Sequence, residues 1–91
     1  MLSDIPSLLR SAARVAGRAD DPNWRPDLSD DQALELAALM GAVVSLDLGA
    51  NTVTVVDKVF GTIVRESTVG GQGGAMRLAV LRLAALQAAL S

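Results

Sequence analysis

The stretch AMRLAVLRLAALQAALS, residues 75–91, decides the fold of this chain. It is typical of a helix, and its large polar side chains are Arg77, Arg82 and Gln87, spaced five residues apart. At about 100° per residue, this spacing places the polar side chains roughly 120° apart around the helix axis. A helix without a polar face must be surrounded, and a short chain has little core for that purpose. We therefore expect neighbouring subunits to cover part of it.

The large apolar side chains of this helix form the predicted contact surface for another subunit. They point in nearly every direction, so one small domain is expected to cover about two sides of the helix. Burial stabilises by about 2 kcal/mol for each large side chain, and the sum rivals the net stability of a typical domain. The predicted interface residues on this assembly helix are Met76, Leu78, Leu81, Leu83, Leu86 and Leu90.

Composition limits the function classes. The 91 residues form a single small domain, residues 1–91, with 51% hydrophobic residues but only one Trp, one Phe and no Tyr. The chain has no Cys and no His, so disulfides, thiolate metal sites and the usual general base are excluded. We expect no catalytic residues, no metal site and no cofactor, and we do not expect an enzyme.

Charge is unevenly distributed along the chain. Arg10, Arg14 and Arg18 make the first segment basic, whereas residues 20–35 are mainly acidic. Solvated faces with favourable helix-end charges explain this pattern, and head-to-tail complementarity between subunits is the alternative. Nucleic acid is not an expected partner, because no dense basic patch with interleaved aromatic residues occurs.

The sequence shows no secretion signal, because Asp4 and Pro6 lie near its start without a long apolar run. The uncharged apolar stretch near the middle is too short to span a bilayer. We expect a cytoplasmic or particle-associated protein that binds protein partners rather than a membrane.

Two helices are predicted in the first half of the chain. The first runs from about Pro6 to Ala16, with Ser3 or Asp4 as its cap. The second runs from about Asp30 to Met40. A capping box starts this second helix: the hydroxyl of Ser29 accepts from the backbone of Gln32, whose side chain reaches back.

Residues 18–28 form a polar connector between these helices, and Trp24 is the only Trp of the chain. One interpretation is that Trp24 folds back over the edge of the core. The alternative is a partner-facing anchor, because exposed Trp is enriched among the residues that dominate interface energetics. Trp24 is therefore included among the predicted interface residues.

The hydrophobic period changes from Val43 onward. Alternation over residues 43–48, a turn at 49–51, a β-branched run at 52–56 and a third run at 59–69 predict an antiparallel three-stranded meander. The competing interpretation is that the second helix continues through Val44. The predicted class is α+β, with two N-terminal helices, the meander and the C-terminal apolar helix.

A glycine-rich segment, residues 70–74, separates the last strand from the last helix. It is interpreted as a flexible hinge because glycine tolerates many backbone conformations. An anion site is the alternative, although no Lys-Ser/Thr pair follows the glycines as in a phosphate loop. The predicted hinge residues are Gly70, Gly71, Gly73 and Gly74.

The segment from Asp47 to Thr52 and onward through Val69 resembles the first phosphate hairpin of actin-like ATPases. The resemblance rests on a D-L-G turn, a β-branched strand, a glycine-marked turn and another strand. It implies nucleotide binding by the Asp47–Thr52 hairpin. The chain is too short for the two lobes of that family and has no second phosphate loop, so the family is not assigned.

The sequence therefore predicts a small structural or assembly subunit that forms homo-oligomers or docks into a larger complex through its C-terminal helix. An accessory protein of a virion or similar particle is one setting for such a chain. The first alternative is a regulatory or inhibitory binding module that acts on a protein partner. The second alternative is a nucleotide-binding fragment.

Overall fold

The computed structural model describes residues 5–18, 21–59, 61–68 and 71–90, with only the backbone described at Gln72 and Leu90. The elements are α1 (Ile5–Ala16), α2 (Asp30–Leu39), β1 (Ala42–Asp47), β2 (Thr52–Asp57), β3 (Ile63–Ser67) and α3 (Gln72–Leu90). This confirms the predicted α+β class and the order of its elements.

Helix α1 is amphipathic and buries Leu8 and Ala12 against the core. It ends where Gly17 adopts a positive φ of 70°, and the N–H of Arg18 donates to the carbonyl of Ala13 at 2.8 Å. The left-handed conformation of Gly17 lets the following N–H group bond to a carbonyl in the last turn of the helix. The predicted capping residues Ser3 and Asp4 lie outside the described residues.

Helix α2 begins at the predicted cap, since the N–H of Gln32 donates to Ser29 Oγ at 3.3 Å. The reciprocal half of the predicted capping box is wrong. Gln32 Oε1 accepts from the N–H of Arg25 at 2.5 Å, whereas the N–H of Ser29 donates to the carbonyl of Arg25 at 3.0 Å. Arg25 of the connector is thus the partner both of the Gln32 side chain and of the Ser29 N–H group. Gly41, at a φ of 68°, turns the chain into β1, so the helix does not continue through Val44.

The three strands form an antiparallel sheet in the order β1-β2-β3. Thr52 pairs with Asp47 on β1 and with Ser67 on β3, so β2 is central and the other strands are edges. Strand β3 is shorter than the predicted run 59–69. Val59 lies in the β2–β3 turn, which is closed by a bond from the N–H of Gly61 to the carbonyl of Asp57 at 2.8 Å.

One face of the sheet carries the core. The side chains of Val53, Val55 and Asp57 on β2 and of Val64 on β3 are buried on this face. Helix α3 packs against β2 and β3 there. The opposite face is formed by the alternate residues of each strand, as the two-residue period of a strand requires.

Helix α3 starts earlier than the sequence analysis predicted, at Gln72 rather than residue 75. The N–H of Ala75 donates to the carbonyl of Gly71 at 3.1 Å, so Gly73 and Gly74 belong to the first turn of the helix. The assignment of these two glycines to a hinge is therefore wrong. Gly71, with a φ of 129°, is the non-helical glycine before the helix, and Gly70 lies outside the described residues.

Helix α3 packs against α1, α2, β2 and β3. The chain's own core therefore covers more of this helix than the sequence predicted, and Leu86 remains 45% exposed. Small side chains such as Ala79 and Ala84, both fully buried, allow neighbouring elements to approach closely. The buried residues of α3 are Ala75, Ala79, Val80, Leu81, Leu83 and Ala84.

Candidate interaction surface

The two arginines of α3 are bound inside the chain's own fold. Arg77 forms an ion pair with Asp30 at the start of α2, and its Nε donates to the carbonyl of Asp27 at 2.9 Å. Arg82 forms an ion pair with Glu66 on β3. The five-residue spacing of these side chains thus directs them to different neighbouring elements.

Gln87, the third polar side chain, bonds to the end of β2. Its Nε2 donates to Oδ2 of the fully buried Asp57 at 2.7 Å and to the carbonyl of Met40 at 3.4 Å. The other carboxylate oxygen of Asp57 accepts from the N–H of Val59 at 2.7 Å. This network joins α3, the end of α2 and the β2–β3 turn.

The predicted interface residues of α3 fall into three groups. Leu81 and Leu83 are 1% and 0% exposed, so their prediction as contacts to another subunit is corrected: the chain's own elements enclose them. Met76 and Leu78 are half-buried and pack against the core. Leu86 is 45% exposed and reaches the surface, whereas the side chain of Leu90 lies outside the description.

Trp24 belongs to the core rather than to the surface. It is 5% exposed, so the anchor alternative is wrong and the core-edge interpretation is correct. Within the described residues, its Nε1 has no hydrogen-bond partner. The regulatory-module alternative thereby loses the side chain that was expected to contact a partner.

Exposed apolar side chains occur both on the sheet and elsewhere on the surface. Large apolar residues that remain exposed are Ile5, Leu28, Leu34, Leu39, Val43, Leu46, Leu48, Val59, Ile63 and Leu86. Half of them lie on the edge strands or in the turns of the sheet, and the other half lie on the helices or in the connector. Isolated exposed apolar residues are normal, and the five of the sheet lie along its two edges and at both of its ends rather than on one face of it.

Hydrogen bonds at the ends of β2 define which backbone groups face the free edges. The N–H of Asp57 donates to the carbonyl of Thr62 and that of Thr68 donates to the carbonyl of Asn51, both at 2.8 Å. Because bonding direction alternates along an antiparallel strand, odd-numbered residues of β2 bond to β3 and even-numbered residues bond to β1.

The same alternation fixes the free edge of each outer strand. On β1, Ala42, Val44 and Leu46 direct their N–H and C=O groups away from the sheet, and on β3 Ile63 and Arg65 do so. Within the described ranges, no backbone hydrogen bond to another element reaches these groups. Both edges could therefore accept a further strand.

The two edges differ in charge. Strand β3 contains Arg65, which is exposed, and Glu66, which is held by Arg82 beside a groove of about 450 Å³. Strand β1 is uncharged from Ala42 to Leu46. Charged side chains on an edge strand oppose pairing with another chain, so β1 is the less protected edge.

The hairpin of the nucleotide-binding alternative is a turn that its own side chain closes. Asp47 Oδ1 accepts from the N–H of Ala50 at 3.1 Å, and Asn51 adopts a positive φ of 51°. All residues from 47 to 51 are exposed at one end of the sheet. The carboxylate thus stabilises the hairpin.

At the start of α3, the carboxylate of Asp30 lies beside Gly73. A side chain at Gly73 would come within 3.3 Å of Asp30 Oδ1 and within 3.1 Å of Arg77 Nη1. A negative charge at this position is favourable because the helix dipole is positive there.

The connector carboxylates serve local structure. Asp27 accepts from Arg25 Nε at 2.9 Å and from Arg25 Nη2 at 2.7 Å, and this bond holds the pKa of the Asp27 carboxyl below its usual value. Asp21 Oδ1 accepts from the N–H of Asn23 at 2.9 Å. No three acidic residues in the described ranges gather as metal ligands.

No helix in the described part of the chain has the length and apolar character needed to cross a bilayer. Comparisons with protein-family models, with curated proteins and with solved structures give no match for this chain.

Sequence reasoning missed the exposed β1 edge. The alternation of Val44 and Leu46 correctly indicated a strand, and both side chains do lie on the same face as Val53 and Val55. Leu46 is nevertheless 47% exposed: α3 packs on β2 and β3, and on this face of β1 only Ala42 and Val44 pack against the core. The uncharged run from Ala42 to Leu46 was the available signal.

Proposed function

We propose that the protein is a small structural subunit that assembles with copies of itself or docks into a larger protein complex. The observation that supports this proposal is the exposed apolar margin of the sheet. Val43, Leu46 and Leu48 are 41%, 47% and 68% exposed on or just after an edge strand. Within the described ranges, no backbone hydrogen bond reaches the outward N–H and C=O groups of this strand. Covering such side chains is favourable at about 25 cal/mol per Å² of apolar surface.

The proposed route of assembly differs from the one expected from the sequence. Leu81 and Leu83 are enclosed, and Leu86 is the large apolar side chain of α3 that is exposed in the described structure. The helix therefore contributes the core of the subunit, and the sheet margin contributes the contact. A small two-layer unit with an accessible strand edge suits an accessory subunit of a larger particle.

The experiment that tests this proposal is a mass measurement on the purified full chain. We expect sedimentation equilibrium to give a discrete oligomer whose population rises with protein concentration. A monodisperse monomer at every concentration would remove self-assembly and favour the binding-module alternative. Progressive, irreversible growth of particle size would instead indicate aggregation and count against a defined subunit.

A further inference from the structure

We propose that β1 is the assembly edge, and that it pairs antiparallel with β1 of a second copy to form one continuous sheet. This inference rests on the proposed function, because it names the partner and the surface for that assembly. The outward backbone groups of β1 receive no backbone hydrogen bond within the described ranges, and its side chains from Ala42 to Leu46 are uncharged. An exposed hydrophobic edge strand is a template for pairing with another chain.

One register satisfies the whole free edge. When the two-fold axis passes at Val44, this residue lies opposite Val44 of the partner subunit, and Ala42 lies opposite Leu46 of the partner subunit. Ala42, Val44 and Leu46 are the residues whose backbone groups point outward. Every outward N–H and C=O group from Ala42 to Leu46 then belongs to a hydrogen-bonded pair.

Side chains agree with this register on both faces of the sheet. On the helix-bearing face, Leu46 meets Ala42 of the partner subunit, which covers a side chain that is 47% exposed in one copy. On the other face, Val43 meets Ser45 of the partner subunit. Cross-strand neighbours of this kind stabilise a sheet by about 0.2–1 kcal/mol per pair.

Charge also favours β1 over β3 as the self-pairing edge. No ionisable side chain lies between Ala42 and Leu46, and Asp47 falls opposite Gly41 of the partner subunit. Like charges therefore do not meet. If β3 paired with a second β3 about Arg65, the two Arg65 side chains would lie opposite each other. Like charges at opposite positions are unfavourable.

The properties of β1 favour a second copy of the chain as its partner. A two-fold pairing needs a strand that is complementary to itself, and β1 meets this condition in sequence, hydrogen bonding and charge. Two-fold dimers are also the commonest symmetric assemblies. Capture of an extended segment from another protein is the competing use of the same edge.

The first test places a charge on each edge in turn. Leu46→Lys introduces a cation at the β1 edge, and Ile63→Lys is the matched control on the β3 edge, where the side chain is 50% exposed. Sedimentation equilibrium should show a dimer for the unmodified chain and for Ile63→Lys, and a monomer for Leu46→Lys. Unchanged far-UV circular dichroism would show that both variants are folded.

The second test reports the register directly. The chain has no Cys, so Val44→Cys supplies a single thiol. In a hydrogen-bonded antiparallel pair, Cα atoms are about 5.5 Å apart, which lies within the range that a disulfide spans. Mild oxidation should link Val44→Cys into a covalent dimer, whereas Ile63→Cys should stay largely unlinked.

Other outcomes separate this inference from the proposed function. An oligomer that survives Leu46→Lys would overturn pairing through β1 while leaving assembly intact. Loss of the oligomer in Ile63→Lys but not in Leu46→Lys would assign the contact to β3 and overturn the inference. A chain that is monomeric at all concentrations would overturn both self-pairing and homo-oligomeric assembly.

Discussion

Gln87 joins three parts of the fold through a single amide. Its Nε2 donates to the carboxylate of Asp57 at 2.7 Å, and this carboxylate is 0% exposed. Replacing Gln87→Leu keeps similar volume but removes one hydrogen-bond donor from a buried carboxyl group. We expect the free energy of unfolding to fall by about 1–3 kcal/mol, the usual cost of such a loss.

The matched control for this change is the adjacent position. Leu86 is 45% exposed, so Leu86→Gln should change the free energy of unfolding by no more than about 0.5 kcal/mol. Urea titration of both variants checks the difference. Equal small effects would contradict a stabilising role for the bond between Gln87 and Asp57.

Asp27 confers a dependence of stability on pH. The hydrogen bond from Arg25 is the main cause of its lowered pKa, and the Asp27 side chain is 9% exposed. A carboxyl whose pKa is lower in the folded state stabilises fully above its unfolded value, which is near 3.8. This contribution is lost as the pH falls through the folded pKa.

Replacing Asp27→Asn should therefore lower the free energy of unfolding at neutral pH, and the difference from the unmodified chain should shrink below about pH 4. Urea titrations across this range measure it. Arg25→Gln removes the same ion pair, so the double variant should lose little more than either single variant. Additive losses would show that the two side chains act independently.

At the scale of elements, the first turn of α3 contains two glycines in different surroundings. A Cβ on Gly74 would lie 3.8 Å from Arg77 Nη2, an ordinary contact. A Cβ on Gly73 would lie 3.1 Å from Arg77 Nη1 and would press on the ion pair with Asp30. Ala favours a helix over Gly by up to about 1 kcal/mol.

We therefore expect Gly74→Ala to raise the melting temperature, and Gly73→Ala to raise it less or to lower it. Each variant is compared with the unmodified chain by thermal unfolding followed by circular dichroism. Destabilisation by Gly74→Ala would contradict the helical start at Gln72 and would support a hinge at this position.

Local signals predicted most elements, because the residues that produce them act over a few positions. Ser29 capped α2, and Gly41 separated it from β1 as a left-handed glycine should. The surroundings of α3 could not be predicted in the same way. The ion-pair partners of Arg77 and Arg82 lie on elements distant in sequence, and residues 75–91 alone do not predict them.

The exposure of β1 was unpredictable for a related reason. Alternation shows that Val44 and Leu46 share a face, but it does not show whether a helix covers this face. The position of α3 over β2 and β3 decides that question, and it depends on the packing of all three helices. The candidate surface therefore emerged from the tertiary structure.

At the scale of the whole molecule, α3 is the centre of the fold rather than an arm that reaches for a neighbour. Leu83 is 0% exposed, and Leu86, three residues further along the same helix, is 45% exposed. The same charged substitution can therefore be placed in the core, at Leu83, or at the surface, at Leu86, and the two effects compared.

We expect Leu83→Asp to unfold the chain and Leu86→Asp to leave it folded, as followed by far-UV circular dichroism and thermal unfolding. Removing a buried Leu side chain alone costs about 2–5 kcal/mol, and a buried carboxylate adds to this cost. Such a loss is comparable to the total stability of a small domain, about 5–15 kcal/mol. If Leu83 were an intersubunit contact instead, Leu83→Asp would give a folded monomer. That result would contradict the enclosure of α3 within its own chain.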